Sequence, residues 1–243
     1  MKEKQKVVIK DSSSSLYNVS AGVPQGSVLG HLLFLVYIND IGEQLLSLTR
    51  LFADDTTLGY SSSSPDALEL VINHDLNKLS TWSGQWLMSF NPDKTEIMIC
   101  SNMEIPNNLN FSFNGKLISN TSSHKHLGVP LSHDAKWSEH VENIAKTISK
   151  HLGVSRKFKF KMNRQNFISK KMYLVYVRPI FEYACEVWDN CGTCHSNKLE
   201  KLQLEAARIV TGLPIFTKTD SLYFETGWEP LYSRRHRRKL IVL

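Results

Sequence analysis

The hydrophobic pattern changes character near residue 132, and that change confines the chain to an architecture in which strands come first and helices follow. Upstream, apolar residues fall in short β-favouring runs broken by turn formers. Residues 7–19 read as two short strands, with serines 12–15 at the turn between them. LTRLFADDTTLGYS reads as a hairpin with Ala53-Asp54-Asp55 at its tip, residues 94–100 as a strand, and residues 109–118 as a hairpin turning at Asn114-Gly115. Two helices interrupt the strands. The nearly unbroken apolar tract over 26–46 predicts a buried helix, and Leu68, Val71, Ile72, Leu76, Leu79 and Trp82 recur at helical spacing between a serine-rich cap and Pro92. Downstream, helical patterns cover 137–157, 164–178, 197–211 and 232–243. The reading is an α+β chain with a boundary near residue 132.

Charge divides along the same line. Residues 1–120 carry 8 Lys/Arg against 12 Asp/Glu, net −4, whereas residues 121–243 carry 21 against 11, net +10. A basic second half suits a polyanionic partner, or is simply a solvated basic face. With 42% hydrophobic and 21% charged residues, wholesale disorder is excluded. No apolar stretch approaches the roughly 20 residues of a bilayer span, so no membrane partner is expected. The first residues hold too few apolar side chains for a secretory leader. Four cysteines form no disulfide framework, and the expected setting is intracellular and nuclear.

Asp54 and Asp55 are the residues best suited to chemistry. Side chains alternate along a strand, so neighbouring carboxylates converge only where a turn redirects one of them. Gathered at a hairpin tip, they suit magnesium, a hard ion that keeps waters and substrate phosphates among its ligands. Taken alone, an Asp-Asp pair is also an ordinary turn former.

Five segments carry a resemblance: GVPQGSVLGHLLFLVYINDI (22–41), LFADDTTL (51–58), NPDKTEIM (91–98), HKHLGV (124–129) and YVRPIFEYACEVWD (176–189). Together they resemble the reverse transcriptases of non-LTR retrotransposons, the jockey-like and related LINE elements. The resemblance implies a partial right-hand polymerase palm, an antiparallel sheet with helices, over residues 1–131. A mainly α-helical thumb and basic C-terminal region would follow over 132–243. It implies an RNA template, a DNA primer, deoxynucleoside triphosphates, and magnesium or manganese in a two-metal nucleotidyl transfer. Asp54 and Asp55 match the catalytic A-D-D box, the first holding metal and the second supporting it. Lys94 matches a lysine assigned as general acid toward pyrophosphate. Pro24, Gln25 and Gly26 match the box beside template and incoming nucleotide, where a residue without Cβ lets the backbone approach a base or sugar. His126, Leu127, Gly128 and Val129 match the primer-grip turn.

Two departures accompany the matches. No F-D-x-V-type segment precedes Pro24, where the family carries a third metal-binding carboxylate; only Glu3 and Asp11 lie upstream. The expectation is the C-terminal part of such an enzyme, starting inside the palm and inactive alone, or alternatively a non-catalytic nucleic-acid-binding remnant. His31 stands where the family usually has proline.

In the basic half, Arg156, Lys157, Lys159, Lys161, Arg164, Lys170 and Lys171 crowd a stretch without acids, interleaved with Phe158, Phe160 and Phe167. That alternation suits backbone contacts by cations and stacking by rings. The run from Arg234 to Lys239 could do likewise or act as a localisation signal. Cys191-Gly192-Thr193-Cys194-His195 reads as a loop between helices, since no second ligand pair supports zinc. Phe181, Tyr183, Trp188 and Trp228 read as core.

Overall fold

Residues 3–19 fold back on themselves as nested ladders. Strand β1 (Glu3–Gln5) pairs antiparallel with β4 (Tyr17–Val19), and β2 (Val8–Ile9) with β3 (Ser12–Ser13). The turn falls at Lys10-Asp11, with Lys10 at φ 54°, so Ser12 and Ser13 are strand residues rather than turn residues. Ser14 closes the ladder, its amide donating to the Val7 carbonyl at 2.9 Å and its hydroxyl accepting from the Val7 amide at 3.0 Å. The computed structural model describes residues 3–19, 26–101, 109–161 and 166–242. The chain divides into two units, Met1–Thr95 with Pro106–Ile118 and Glu96–Ile105 with Ser119–Leu243.

In the first unit, α1 (Val28–Tyr37) is shorter than the apolar tract and is not buried. Gly30 is its buried residue, while Val28 is 92% and Val36 69% exposed. A helix that is apolar all round cannot be covered by one neighbour. The tract's buried hydrophobic side chains lie just past the helix, at Ile38 and Ile41. Next come β5 (Leu48–Phe52) and β6 (Asp55–Gly59), an antiparallel hairpin. Helix α2 (Pro65–Gln85) starts where expected: the Ser64 hydroxyl accepts from the Ala67 amide, and Pro65 fills the first turn, where a missing N–H costs nothing. Its stripe Val71, Ile72, Leu76 and Leu79 is buried, together with Phe111 and Phe113. Asn73 joins α2 to β8 (Ser112–Phe113), donating to the Asn110 carbonyl at 2.8 Å and accepting from the Ser112 amide at 3.0 Å. Between β8 and β9 (Lys116–Leu117), Asn114 and Gly115 both take positive φ, as a two-residue type I′ turn requires.

One buried carboxylate organises this unit. Asp75 is fully buried on α2 and accepts from the amides of Leu46 (3.0 Å) and Ser47 (2.7 Å), from the Ser47 hydroxyl, and from His74. Burial alone pushes its carboxyl up, but the Ser47 hydroxyl, the two amides and His74 together hold it below the ordinary 3.8. A depressed carboxylate contributes stability above its unfolded pKa and loses it as pH falls through the folded value, so the sensitive window lies below 3.8. Asp75→Asn is expected to cost about 1–3 kcal/mol at pH 7 and to flatten the acid limb of the stability profile. Denaturant titrations at pH 7 and pH 3 check this; parallel profiles for variant and parent would reject it.

The second unit has few strands. β7 (Glu96–Ile97) runs parallel to β10 (Ser119–Asn120), and β11 (Ser123–His126) antiparallel to β12 (Val129–Ser132). Its helices are α3 (Ser138–Lys161), α4 (Asn166–Met172), a π turn (Tyr173–Val177), α5 (Arg178–Glu182), α6 (Cys185–Trp188), α7 (Thr193–Thr211), α8 (Thr219–Thr226) and α9 (Leu231–Val242). The π turn precedes Pro179, which has no N–H for the helical ladder. Gly212 and Gly227 end α7 and α8 in left-handed geometry. Val141, Ile148 and Leu152 of α3, Val177, Phe181, Trp188, Leu199 and Ala206 of α7, and Leu231 of α9 form the core.

The architecture is α+β, but among the described residues the strands stand as two-stranded ladders, one of them parallel, rather than as one antiparallel sheet. Strands of two to five residues, most of their side chains exposed, bury too little surface to hold a wider sheet together. Among the described residues, no helix is long and apolar enough to cross a membrane.

Candidate active site and nucleic-acid surface

Register builds the carboxylate tip. Phe52 pairs with Asp55, which leaves Ala53-Asp54 as the whole turn. Ala53 sits at φ 52°, a left-handed conformation costing an L-residue roughly 1–2 kcal/mol. Asp54 therefore stands at the apex and Asp55 opens β6, both exposed. Two consecutive carboxylates supply hard oxygen donors of the kind magnesium accepts beside water and phosphate, and so fit as part of a ligand set. Among the described residues, no cluster of three or more His, Cys, Asp or Glu side chains is placed to hold a metal.

Lys94 lies in the same unit, as the last residue of a 3-10 turn, Pro92–Lys94, with its side chain exposed. Asn91 caps that turn, accepting from the Asp93 amide at 3.0 Å, and Asp93 pairs with Lys116. Expected as the start of a strand, Lys94 is held by a proline-initiated turn instead; the strand is confined to β7. Pro24 and Gln25 lie outside the described residues. Gly26 is exposed at φ 81°, a conformation that favours glycine whatever approaches it. His31 is exposed on α1.

In the second unit, His126 pairs with Val129 across Leu127-Gly128. These turn residues have φ 46° and 86°, a type I′ pair with leucine in the strained first place. Val129 is buried, and His124 Nδ1 lies 2.9 Å from the Glu96 carboxylate.

The basic stretch is not uniformly available. Arg156 and Lys157 are exposed on the last turns of α3, but Arg156 pairs with Glu205 of α7. Lys159 and Lys161 lie within α3 with side chains outside the described set, and Arg164 lies outside it altogether. Lys170 Nζ donates to the Thr226 carbonyl at 3.0 Å, capping the end of α8. Lys171 is exposed on α4.

Three features escape a reading of residue type. The terminal arginines are engaged: Arg234 and Arg238 with Glu182, Arg235 with Asp189, Arg237 with Glu229, and Arg238 also with Glu186. Cys194 and His195 lie in the first turn of α7 rather than in a loop, Cys191 is buried, and His195 Nε2 is 3.2 Å from the Ser138 hydroxyl. Tyr183 is 54% exposed, unlike buried Phe181 and Trp188, because its hydroxyl reaches the Leu127 carbonyl at 2.5 Å. Its placement follows from the helix break at Ala184, φ 50°, which spacing alone does not reveal.

An α+β chain carrying paired carboxylates on a tight hairpin and a basic helical half belongs to a recognisable class of sequence. The family model described as "Reverse transcriptase (RNA-dependent DNA polymerase)" matches residues 2–131, and the chain belongs to that family. Among curated proteins it is similar to the "Probable RNA-directed DNA polymerase from transposon BS" of Drosophila melanogaster, 26% identical over 231 residues that cover 89% of this chain and 25% of that protein. It is also similar to the "RNA-directed DNA polymerase from mobile element jockey" of the same organism, 27% identical over 228 residues covering 88% of this chain and 24% of the relative. The chain thus spans about a quarter of the length of the curated relatives it matches. No solved structure matches it.

Proposed function

We propose that this chain serves RNA-templated DNA synthesis, contributing the carboxylate hairpin of a polymerase palm and a helical portion that tracks primer and template. The observation that carries this reading is the pair Asp54, at the apex of the Ala53-Asp54 turn, and Asp55, the first residue of β6, in a chain of the reverse transcriptase family. Asp54 and Asp55 would hold magnesium or manganese, which when bound supplies charge neutralisation for the attacking and leaving oxygens. Lys94, an exposed ammonium on a 3-10 turn, is suited to give a proton to departing pyrophosphate. Gly26 would let the backbone lie close to template or nucleotide, and Leu127-Gly128 would meet the primer. The alternative, a non-catalytic nucleic-acid binder, draws on the same basic stretch and differs only in predicting binding without synthesis.

Binding tests what both readings share. The full chain is expected to bind primer–template duplex without sequence preference, with log affinity falling linearly in log salt at about 0.7–0.9 per phosphate neutralised. Replacing Lys157, Lys159 and Lys161 together by alanine should flatten that slope by roughly two to three units. Arg156 and Lys170, engaged with Glu205 and the Thr226 carbonyl, should contribute less to the slope when replaced. A folded triple variant with the parental slope would return these lysines to a merely solvated face.

A further inference from the structure

Tyr183 is an exposed aromatic whose two ends are both committed. Its backbone belongs to the helical core: its amide donates to the Pro179 carbonyl at 2.9 Å, and its carbonyl accepts from the indole of fully buried Trp188 at 2.8 Å. Its side chain leaves that core. The hydroxyl donates to the Leu127 carbonyl at 2.5 Å, and the ring edge lies 3.6 Å from where a Cβ on Gly128 would stand. The contacted segment is one that local forces hold poorly. Leu127 at φ 46° and Gly128 at φ 86° form a turn whose first place leucine disfavours, so its geometry depends on partners outside the turn as well as on local preference. A hydroxyl fixed from outside selects the orientation that offers the Leu127 carbonyl.

We propose that Tyr183 is a positioning residue that holds the Leu127-Gly128 turn in its primer-binding geometry, transmitting the rigidity of the helical core to that turn. The inference rests on the primer-contact reading of the turn given above. The bond joins residues 56 apart in sequence, and both ends are exposed, Tyr183 by 54% and Leu127 by 39%. Exposed hydrogen bonds add little to global stability because water competes for both partners. Local order at the turn is what this bond can change. The ladder of β11 and β12 closes at His126 and Val129, so the contact from Tyr183 adds to it a restraint on the turn from the helical core.

The test uses the full chain and the variants Tyr183→Phe, which removes only the hydroxyl, and Tyr183→Ala. Three quantities are read: the unfolding midpoint, amide hydrogen exchange at residues 127–129, and affinity for two duplexes of equal length, one with a recessed primer 3′ end and one blunt. For Tyr183→Phe the midpoint and the blunt-duplex affinity are expected to hold. Exchange at the turn should quicken, and the preference for the recessed end should fall, each by about two- to tenfold. Unchanged exchange with unchanged preference overturns the proposal, as does an equal loss on both duplexes. A parental chain that shows no preference for the recessed end overturns the primer-contact reading itself, a result distinct from a parental preference that the phenylalanine variant retains. Should Tyr183→Ala fail to fold, the phenylalanine variant decides the matter alone.

Discussion

The 243-residue polypeptide is expected to incorporate no deoxynucleotide on a poly(rA)/oligo(dT) primer–template with magnesium, because its carboxylate tip is a partial ligand set. Asp54 and Asp55 supply two adjacent donors, and among the described residues no third acidic, histidine or cysteine side chain gathers with them to hold a metal. Magnesium tolerates few protein ligands when phosphates complete its shell, but a two-ion clamp needs carboxylates on more than one element. A longer polypeptide that adds an apolar strand bearing an aspartate ahead of Pro24 should gain activity. In that enzyme, Asp54→Ala or Asp55→Ala should each lower the rate by about a hundred- to a thousandfold, the scale of several kcal/mol of transition-state stabilisation. Template-dependent incorporation by the 243-residue chain above an Asp54→Ala control would defeat this account.

Arg235→Met should be among the most damaging single changes in the second unit. Its guanidinium is fully buried: Nε donates to Asp189 Oδ1 at 2.8 Å, Nη2 to the Ser196 hydroxyl at 2.8 Å, and the cation stands 5.4 Å over the Trp188 ring. Removing it strands the Asp189 carboxylate, which is only 10% exposed, without its counter-charge. Breaking a buried pair in this way costs about 3–5 kcal/mol, which at roughly 2–4 °C per kcal/mol lowers the unfolding midpoint by about 6–20 °C. Adding Asp189→Asn to the variant should restore a large part of the loss, because the stranded charge is then gone. Arg237→Ala makes the contrast, since its pair with Glu229 is exposed and should matter little to stability. A small loss in Arg235→Met, or no recovery in the double variant, would show that α9 is not fastened by this pair.

These arginines illustrate what sequence hides. Arg234 to Lys239 reads as a block of like charge open to a polyanion or a transport receptor, and nothing in it names its partners. Glu229 lies just ahead of α9, eight residues from Arg237, but Glu182, Glu186 and Asp189 lie some fifty residues upstream, and the packing of α9 against α6 brings them into reach. The apolar tract misleads in the opposite sense. Hydrophobicity over 26–46 predicts burial, yet α1 stands largely exposed while Ile38 and Ile41 are covered, because burial depends on a neighbour and not on the residue's own preference.

By itself the sequence determined what local physics governs. Asn114-Gly115 made its turn because both residues tolerate positive φ, and Ser64-Pro65 started α2 because a hydroxyl and a proline suit its first turn. The helical spacing of α2 declared its buried face, helical patterns placed α3 and α7, and ordered motifs declared the family. Tertiary structure decided whatever required two distant segments to meet. The register that sets Asp54 at an apex, the four donors that tame buried Asp75, the absorption of Lys170 into a helix cap and the reach of Tyr183 to Leu127 all belong here. Each is a polar contact whose worth depends on a partner's position within a few tenths of an ångström. Residue type sets what a side chain can donate or accept, and only the fold sets what stands opposite it.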